Sequence, residues 1–424
     1  MREVDRGRSR GVAPAVAAAL VVAEAAVLLL RPRGGVLEPA PVDVTSYFSR
    51  AEIDRAKAYR RPQLVLLAGG LAIQGALLGR LAARSAARPP GRLRRPFRRP
   101  AAAAAAAGVG LSLALEAASL PLAAIGHRRA VRVGLSTQSW RAWAGDLAKS
   151  GAIGAAVAGA GAGGAVALMR RFGERWWIPA AGTAIAFGAA MTYAGPVVID
   201  PLFNKFSPLP AGRARSDVLD LAREAGIEVG EVYVVDASRR TTAANAYVTG
   251  IWRTKRVVLF DTLLEHFTDA EVRLVVAHEL AHVRHRDVQR GLLYLLVVAP
   301  AGSRAVARLT RRLAPDGEPG PAVLPALALS AGALSVAVGL VANQLSRRIE
   351  TCADTFALRA TDEPEPFVGF EKRITLRNIA DPDPPAWVSS LLATHPPTVE
   401  RIGLAKAYEA ELTALPGRRT PAGS

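Results

Sequence analysis

Long apolar segments separated by short basic stretches make up most of the chain up to residue 199. A helix that crosses a bilayer needs about 20 mostly apolar residues. The segment 11–30, GVAPAVAAALVVAEAAVLLL, has that length and contains one carboxylate, Glu24. It is long for a signal peptide and lacks a clear cleavage site, so we interpret it as a retained membrane helix. The same pattern predicts four further membrane helices, at 63–82, 101–126, 151–169 and 177–199.

The hydropathy pattern changes at Asp200. From there to about Arg290, short apolar runs alternate with polar residues, as in a soluble α+β domain. SDVLDLAREAG (216–226) has the periodicity of a helix and ends in a glycine. Three runs predict strands, the last two joined by the short turn WRT: EVYVVDA (231–237), ANAYVTGI (244–251) and KRVVLFD (255–261).

A second helix of this region begins at a recognisable cap. Thr268 and Glu271 form an S/T-x-x-E capping box. The helix should run through VVAHELAHVRHRD (275–287) and continue into a short sixth membrane span at 291–302. A clear seventh apolar segment follows at 321–343.

These elements predict a mainly α, polytopic membrane protein with about seven transmembrane helices and a small α+β domain. We expect an N-terminal membrane region at 1–199. A second region at 200–410 is interrupted by the sixth and seventh helices, and its last part, 344–410, is polar and mostly helical. Residues 411–424 are expected to be disordered.

Charge and composition support the membrane interpretation. Half of the 424 residues are hydrophobic, and the formal net charge is +18. The arginines cluster beside apolar segments, as in GRLRRPFRRP (91–100), and form no aromatic-interleaved basic surface. Basic flanks of this kind attract anionic lipid, so we expect a bilayer and no nucleic acid as partner. The single cysteine, Cys352, permits no intrachain disulfide.

The most specific chemical motif is H-E-x-x-H at His278, Glu279 and His282. Histidines at i and i+4 lie on one helix face, so both imidazoles can bind one metal ion. The glutamate between them can accept a proton from a metal-activated water molecule and pass it to the leaving amine. The alternative is a polar helix end on the surface, without metal.

A catalytic zinc needs a third protein ligand. The best candidate lies in SRRIETCADTFALRA (346–360), where Glu350 and Asp354 are one helical turn apart. One carboxylate would bind the metal and the other would orient a histidine ligand. On its own, E-x-x-x-D equally describes a solvated helix face. His285 is not a candidate, because it lies on a neighbouring face of the helix that carries His278 and His282.

Five motifs follow one another along the second half of the chain: DPLFNKFSPLP (200–210), NAYVTG (245–250), HELAH (278–282), RRIETCADTFA (347–357) and THPPTVERI (394–402). In this order and spacing they resemble the type I CaaX prenyl endopeptidases, integral-membrane zinc gluzincins related to the bacterial heat-shock membrane proteases. The resemblance covers most of the chain and is strongest from about 195 to 405. It implies an intramembrane chamber enclosed by seven helices, with Glu24 and Glu116 facing the interior or a neighbouring helix.

The resemblance also implies a metal site. One zinc ion per chain would be bound by His278, His282 and Glu350. Glu279 would be the general base, and Asp354 would hydrogen-bond a histidine ligand.

Further residues are implied to hold the substrate. Asn245, Ala246 and Tyr247 would belong to an edge strand that pairs with the substrate backbone. An extended peptide can add to an exposed sheet edge through main-chain hydrogen bonds, which agrees with this role. His395, as a catalytic residue, and Arg401 would bind the substrate or stabilise the oxyanion.

The orientation in the membrane receives conflicting indications. With seven spans, the very basic loop 83–100 and the zinc segment, which contains His278 and His282, lie on opposite sides of the membrane. The positive-inside rule therefore places the zinc segment outside, whereas the resemblance implies a cytoplasmic-facing site in the cell membrane. We favour the cytoplasmic orientation, because the arginine bias of this chain weakens the rule.

The leading hypothesis is a zinc-dependent membrane endopeptidase acting on peptides or membrane proteins, with lipidated peptides among the candidate substrates. A broad-specificity protease for the quality control of membrane proteins is the alternative within the same class. A membrane scaffold or transporter without catalytic activity is the alternative from another class. The oligomeric state is left open.

Overall fold

The computed structural model describes residues 11–87, 99–250, 255–315 and 318–414. The N-terminal part consists of long helices, as the apolar segments predict. The helices Pro100–Arg132 and Trp140–Phe172 pack closely, since a Cβ atom on Gly159 would lie 3.1 Å from the Ala105 carbonyl oxygen. Small residues permit such close contact between membrane helices. The five helices are α1 (Val12–Leu30), α2 (Arg50–Ala86), α3 (Pro100–Arg132), α4 (Trp140–Phe172) and α5 (Trp177–Ala194).

The next part contains the α+β domain, built on a four-stranded sheet. The elements are α6 (Asp200–Phe203), β1 (Phe206–Pro208), α7 (Arg213–Glu224), β2 (Glu231–Val235), β3 (Ala246–Thr249), β4 (Arg256–Phe260), α8 (Asp261–His266) and α9 (Asp269–Arg284). The strand order is β1-β2-β4-β3, with β2 and β4 parallel and β3 antiparallel to β4. β3 is therefore an edge strand of the described sheet. The predicted turn WRT lies outside the described residues.

α9 begins at the predicted capping box, which is confirmed. The backbone N–H of Thr268 donates to Glu271 Oε2 at 2.8 Å, and that of Glu271 donates to Thr268 Oγ1 at 3.3 Å. One face of α9 is buried against the sheet, with Val276 and Leu280 fully inaccessible. The cap and this apolar face together fix the position of the H-E-x-x-H residues.

The expected continuation of this helix into the sixth span is wrong. The chain breaks at Arg286, which has the left-handed conformation (φ 58°, ψ 43°), and a separate helix, α10, runs from Asp287 to Leu313. A left-handed residue cannot continue the i to i−4 hydrogen bonds of an α-helix. The span is longer than the predicted 291–302, so the connection to the seventh helix is shorter than the sequence predicts.

The last part links the membrane helices to the domain. α11 (Leu324–Thr361) is 38 residues long, or about 57 Å at 1.5 Å per residue. α13 (Thr398–Ala414) packs beside its C-terminal half, and α12 (Pro364–Arg377) packs against α13 and α9. With α1–α5, α10 and α11, the described residues contain seven helices long and apolar enough to cross a membrane. The predicted fold class, a polytopic helical protein with a small sheet, is confirmed.

Both membrane carboxylates contact neighbouring helices, as expected. Glu24 Oε2 on α1 accepts a hydrogen bond from the side-chain amide of Gln344 on α11 at 3.1 Å. Glu116 on α3 lies against Gly151 on α4, where a Cβ atom would be 2.6 Å from its carboxylate oxygen. The expected tail from 411 on is described only as far as Ala414, which ends α13.

Candidate metal centre

Three side chains from two helices converge on one point. His278 and His282 lie one turn apart on α9, and Glu350 reaches them from α11. His278 Nε2 is 3.3 Å from His282 Nε2 and 3.2 Å from Glu350 Oε2. His282 Nε2 is 3.9 Å from Glu350 Oε1. All three donor atoms lie within 4.8 Å of one another, so one cation could contact them all.

A second carboxylate holds each imidazole from behind. His278 Nδ1 lies 2.8 Å from Asp354 Oδ1, and His282 Nδ1 lies 3.0 Å from Asp287 Oδ2. These carboxylates fix the tautomer in which Nδ1 carries the proton. Both Nε2 atoms then present lone pairs toward the same point.

This arrangement fits a divalent metal ion. Two lone pairs that face each other at 3.3 Å beside a carboxylate repel one another unless a cation lies between them. Among the described residues, Glu350 Oε2 is buried and has no hydrogen-bond partner of good geometry. Two imidazole nitrogens and one carboxylate oxygen, with room for a further ligand, are a known donor set of catalytic metal sites.

Glu279 lies beside the three donors, facing a cleft. The cleft has a volume of about 550 Å³ and is lined by Glu279, His278 and the start of β3. Burial raises the pKa of the Glu279 carboxyl above its ordinary value. A carboxylate with a raised pKa is a stronger base than an exposed one, which suits proton transfer.

A buried chain of charges supports the centre from the other side. Arg401 donates from Nε and Nη2 to the two oxygens of Asp354, at 2.8 and 2.6 Å. Its Nη1 lies 2.8 Å from Oε1 of Glu371 on α12, which is only 1 % exposed. Burial raises the pKa of Glu371 to about 7, against the lowering effect of Arg401. Arg401 thus contacts the carboxylate that orients His278, and its predicted role toward substrate stays a prediction.

His395 approaches the centre from the segment before α13. Its Nε2 atom is 3.2 Å from Glu350 Oε2, and its Nδ1 atom is 3.0 Å from the hydroxyl of Thr394. The side chain is 59 % exposed, so it can reach a ligand in the cleft. The structure therefore brings His395 to the site, while its catalytic role stays a prediction.

The three edge-strand residues have different environments. Ala246 is buried, and its N–H donates to the side-chain oxygen of the exposed Asn245 at 3.0 Å. The Tyr247 hydroxyl points elsewhere and donates to Asp200 Oδ2 at 3.4 Å. Burial, followed by the charge of Asp200, raises the pKa of Tyr247 to about 12. Asn245 and Ala246 line the cleft, whereas Tyr247 does not.

Two carboxylates of the centre have no counterpart among the sequence-based candidates. Asp287 reaches His282 because the chain turns at Arg286, and a left-handed arginine has no sequence signal. Glu371 is flanked by Phe370 and Lys372, a pattern that fits a buried or an exposed helix face equally. Only the contact with Arg401 identifies its role.

Known proteins share both parts of this architecture. Residues 208–409 match the model of peptidase family M48, and residues 110–205 match that of the CAAX prenyl protease N-terminal region, which has five membrane helices. The chain is 34% identical over 307 residues to an uncharacterized metalloprotease of Bacillus subtilis, YhfN, and this match covers 70% of the chain and 72% of the relative.

Eukaryotic relatives and a solved structure also match. The chain is 31% identical over 228 residues to a CAAX prenyl protease 1 homolog of Oryza sativa, covering 52% of this chain and 53% of that protein. The crystal structure of S. mikatae Ste24p superposes with a TM-score of 0.70 at 19% identity, covering 93% of this chain and 98% of the other. At that identity the superposition establishes a common fold.

Proposed function

Because the chain belongs to peptidase family M48 and is a multi-pass membrane metalloprotease, we propose that it is an endopeptidase. In this proposal one zinc ion is held by His278, His282 and Glu350. The observation that carries the proposal is the pair of Nε2 atoms that face each other at 3.3 Å, next to the Glu350 carboxylate. In this proposal residues 200–410 form the peptidase region, and α10 and α11 cross the membrane within it.

When bound, the zinc ion supplies a Lewis acid that activates water and polarises the scissile carbonyl. Asp354 and Asp287 keep both Nδ1 atoms protonated, so that both Nε2 atoms remain available as ligands. Glu279 accepts a proton from water in the cleft and delivers it to the leaving amine. His395 donates a hydrogen bond to the developing oxyanion.

The substrate is a peptide segment that adds to the free edge of β3 as an extended strand. Main-chain hydrogen bonds then supply binding without a strong sequence requirement. The relatives named CAAX prenyl proteases support a lipidated C-terminal peptide as one substrate class. The main-chain character of the edge supports a second class, unfolded segments of membrane proteins, which corresponds to quality control.

Zinc analysis combined with a matched pair of peptides tests the proposal. The purified protein should contain zinc and cleave peptide in a chelator-sensitive way. Glu279→Gln should keep the zinc and lose at least about 100-fold in rate, the usual contribution of a general base. Protein without metal and without chelator-sensitive cleavage would instead be a scaffold. Faster cleavage of a farnesylated peptide than of its unmodified form would favour the first substrate class, and equal rates the second.

We further propose that the peptidase region faces the cytoplasm of the cell membrane, as the resemblance to CaaX prenyl proteases implies. The basic loop 83–100 favours the opposite orientation by the positive-inside rule, but arginines at the other end of α3 partly offset it. Arg128, Arg129 and Arg132 end α3 on the peptidase side, opposite the basic loop before α3. A reporter fused near residue 230 should be active in the cytoplasm, and an external signal would refute this orientation.

A further inference from the structure

Among the described strands, β3 pairs on one side only, with β4, and its other side is the free edge. The Phe260 N–H donates to the Asn245 carbonyl at 3.1 Å, and these residues face each other in the register that pairs Ala246 with Leu259. Bonded and non-bonded pairs alternate along antiparallel strands. The backbone groups of Ala244, Ala246 and Val248 therefore point away from β4, toward the free edge.

Asparagine side chains already bind two amides on that edge. The Ala246 N–H donates to Oδ1 of Asn245, its neighbour in sequence, at 3.0 Å. The Ala244 N–H donates to Oδ1 of Asn378 at 3.2 Å, and Asn378 lies 134 residues away at the end of α12. The two contacts differ in kind, because Asn245 is an exposed side chain that can rotate aside.

Asn378, by contrast, is fixed by its backbone. Its carbonyl and that of Ile379 both accept hydrogen bonds from the Arg60 guanidinium, each at 2.9 Å. Its own N–H donates to the Ile374 carbonyl at 2.9 Å. Ile379 has a positive φ of 47°, which is rare for a β-branched residue and needs such contacts to hold it. The backbone that carries the Asn378 carboxamide is therefore held in place at one end of the free edge, where the carboxamide accepts the Ala244 N–H.

We propose that Asn378 sets the register of the bound substrate by occupying the Ala244 amide. A peptide strand that adds to β3 can bond with Ala246 and Val248, and its pairing stops where the carboxamide begins. Strand hydrogen bonds repeat every two residues, so a peptide whose end abuts the carboxamide cannot slide two residues further along β3, to the Ala244 amide. Asn378 is thus a positioning residue that decides which peptide bond lies at Glu279, and the inference rests on the proposed peptidase function.

Hydrogen–deuterium exchange tests the contact without any catalysis. Asn378→Leu removes the acceptor, whereas Asn378→Asp keeps an acceptor oxygen in the same place. Exchange in the segment around Ala244 should be up to about tenfold faster in the leucine variant, the factor for loss of one neutral hydrogen bond. The aspartate variant should match the wild type. Equal exchange in all three proteins would overturn the inference.

Cleavage-site mapping tests the function of the contact. In a mixture of unstructured decapeptides of known sequence, the wild type and Asn378→Asp should cut each peptide at one main bond. Asn378→Ala, which removes both the acceptor and the bulk, should also cut two residues away, with a raised KM and a similar kcat. Asn378→Leu, which keeps the bulk, should cut mainly at the wild-type bond.

The outcomes separate this inference from the function on which it rests. Unchanged cleavage sites at a lower rate would mean that Asn378 is only structural, and would refute the register role alone. A wild-type protein that contains zinc but cuts no peptide would refute the proposed function, and the register role with it.

Discussion

Asp354 is the residue whose replacement tests the architecture of the centre most sharply. It is fully buried and accepts hydrogen bonds from His278 Nδ1 at 2.8 Å and from two nitrogens of Arg401 at 2.8 and 2.6 Å. Asparagine has nearly the same shape but only one acceptor oxygen. In Asp354→Asn, an NH2 group must therefore face one of these donors, and Arg401 loses its strongest counter-charge.

The structure sets the expected losses of unfolding free energy and of zinc affinity. Changing one partner of a buried ion pair usually costs about 3–5 kcal/mol. Glu371 remains 2.8 Å from Arg401 and keeps part of the compensation, so we expect about 3 kcal/mol of lost unfolding free energy. The poorly oriented His278 should weaken zinc binding by about 10–100-fold, the usual effect of removing a carboxylate behind a metal ligand.

Competition with a chelator of known affinity measures the zinc effect in purified protein, and thermal unfolding reports stability. Glu371→Gln is the matched control, because it perturbs the same Arg401 but contacts no metal ligand. Its zinc affinity should stay close to that of the wild type. If Asp354→Asn bound zinc as tightly as the wild type, the argument that Asp354 orients His278 would be wrong.

Three further outcomes follow from buried groups and close contacts. Burial raises the pKa of Glu371 from 4.5 to about 7, so the native state holds this proton more tightly than the unfolded state does. The free energy of unfolding should therefore fall as the pH rises between these two values. Chemical denaturation at about pH 5 and about pH 8 should show this fall in the wild type and not in Glu371→Gln. Gly403→Ala should lower the free energy of unfolding by about 1–3 kcal/mol, because the new Cβ atom would overlap the Ala40 carbonyl. Gly154→Ala, in open space within α4, should raise it by up to about 1 kcal/mol in the same assay. Thr268→Ala removes the N-terminal cap of α9 and should lower the free energy of unfolding by about 1 kcal/mol, measured as a lower Tm. An unchanged Tm would show that packing alone holds this helix.

The sequence predicted the elements that depend on local pattern. Seven apolar segments became helices because a chain in lipid must satisfy its backbone hydrogen bonds internally. The i, i+4 spacing of His278 and His282 places both on one face of any helix. Glu350 could be proposed because its motif follows an apolar segment, and the structure brings it within 3.2 Å of His278.

The remaining features depend on contacts between distant parts of the chain. The left-handed Arg286 interrupts what reads as one continuous helix and brings Asp287 back to His282. Glu371 and Asn378 are ordinary polar positions of α12 and its end until the fold places them against Arg401 and Ala244. No local periodicity encodes these pairs, because each member gains its role from the other.

Titrating metal-free protein with zinc while following peptide cleavage tests the central claim most directly. Activity should rise in proportion to added zinc and reach its plateau at one equivalent per chain. Glu350→Gln, which keeps the shape of the third ligand without its charge, should need far more zinc to reach any activity. Full activity without zinc, or an unchanged titration in Glu350→Gln, would contradict a single catalytic zinc ion held by His278, His282 and Glu350.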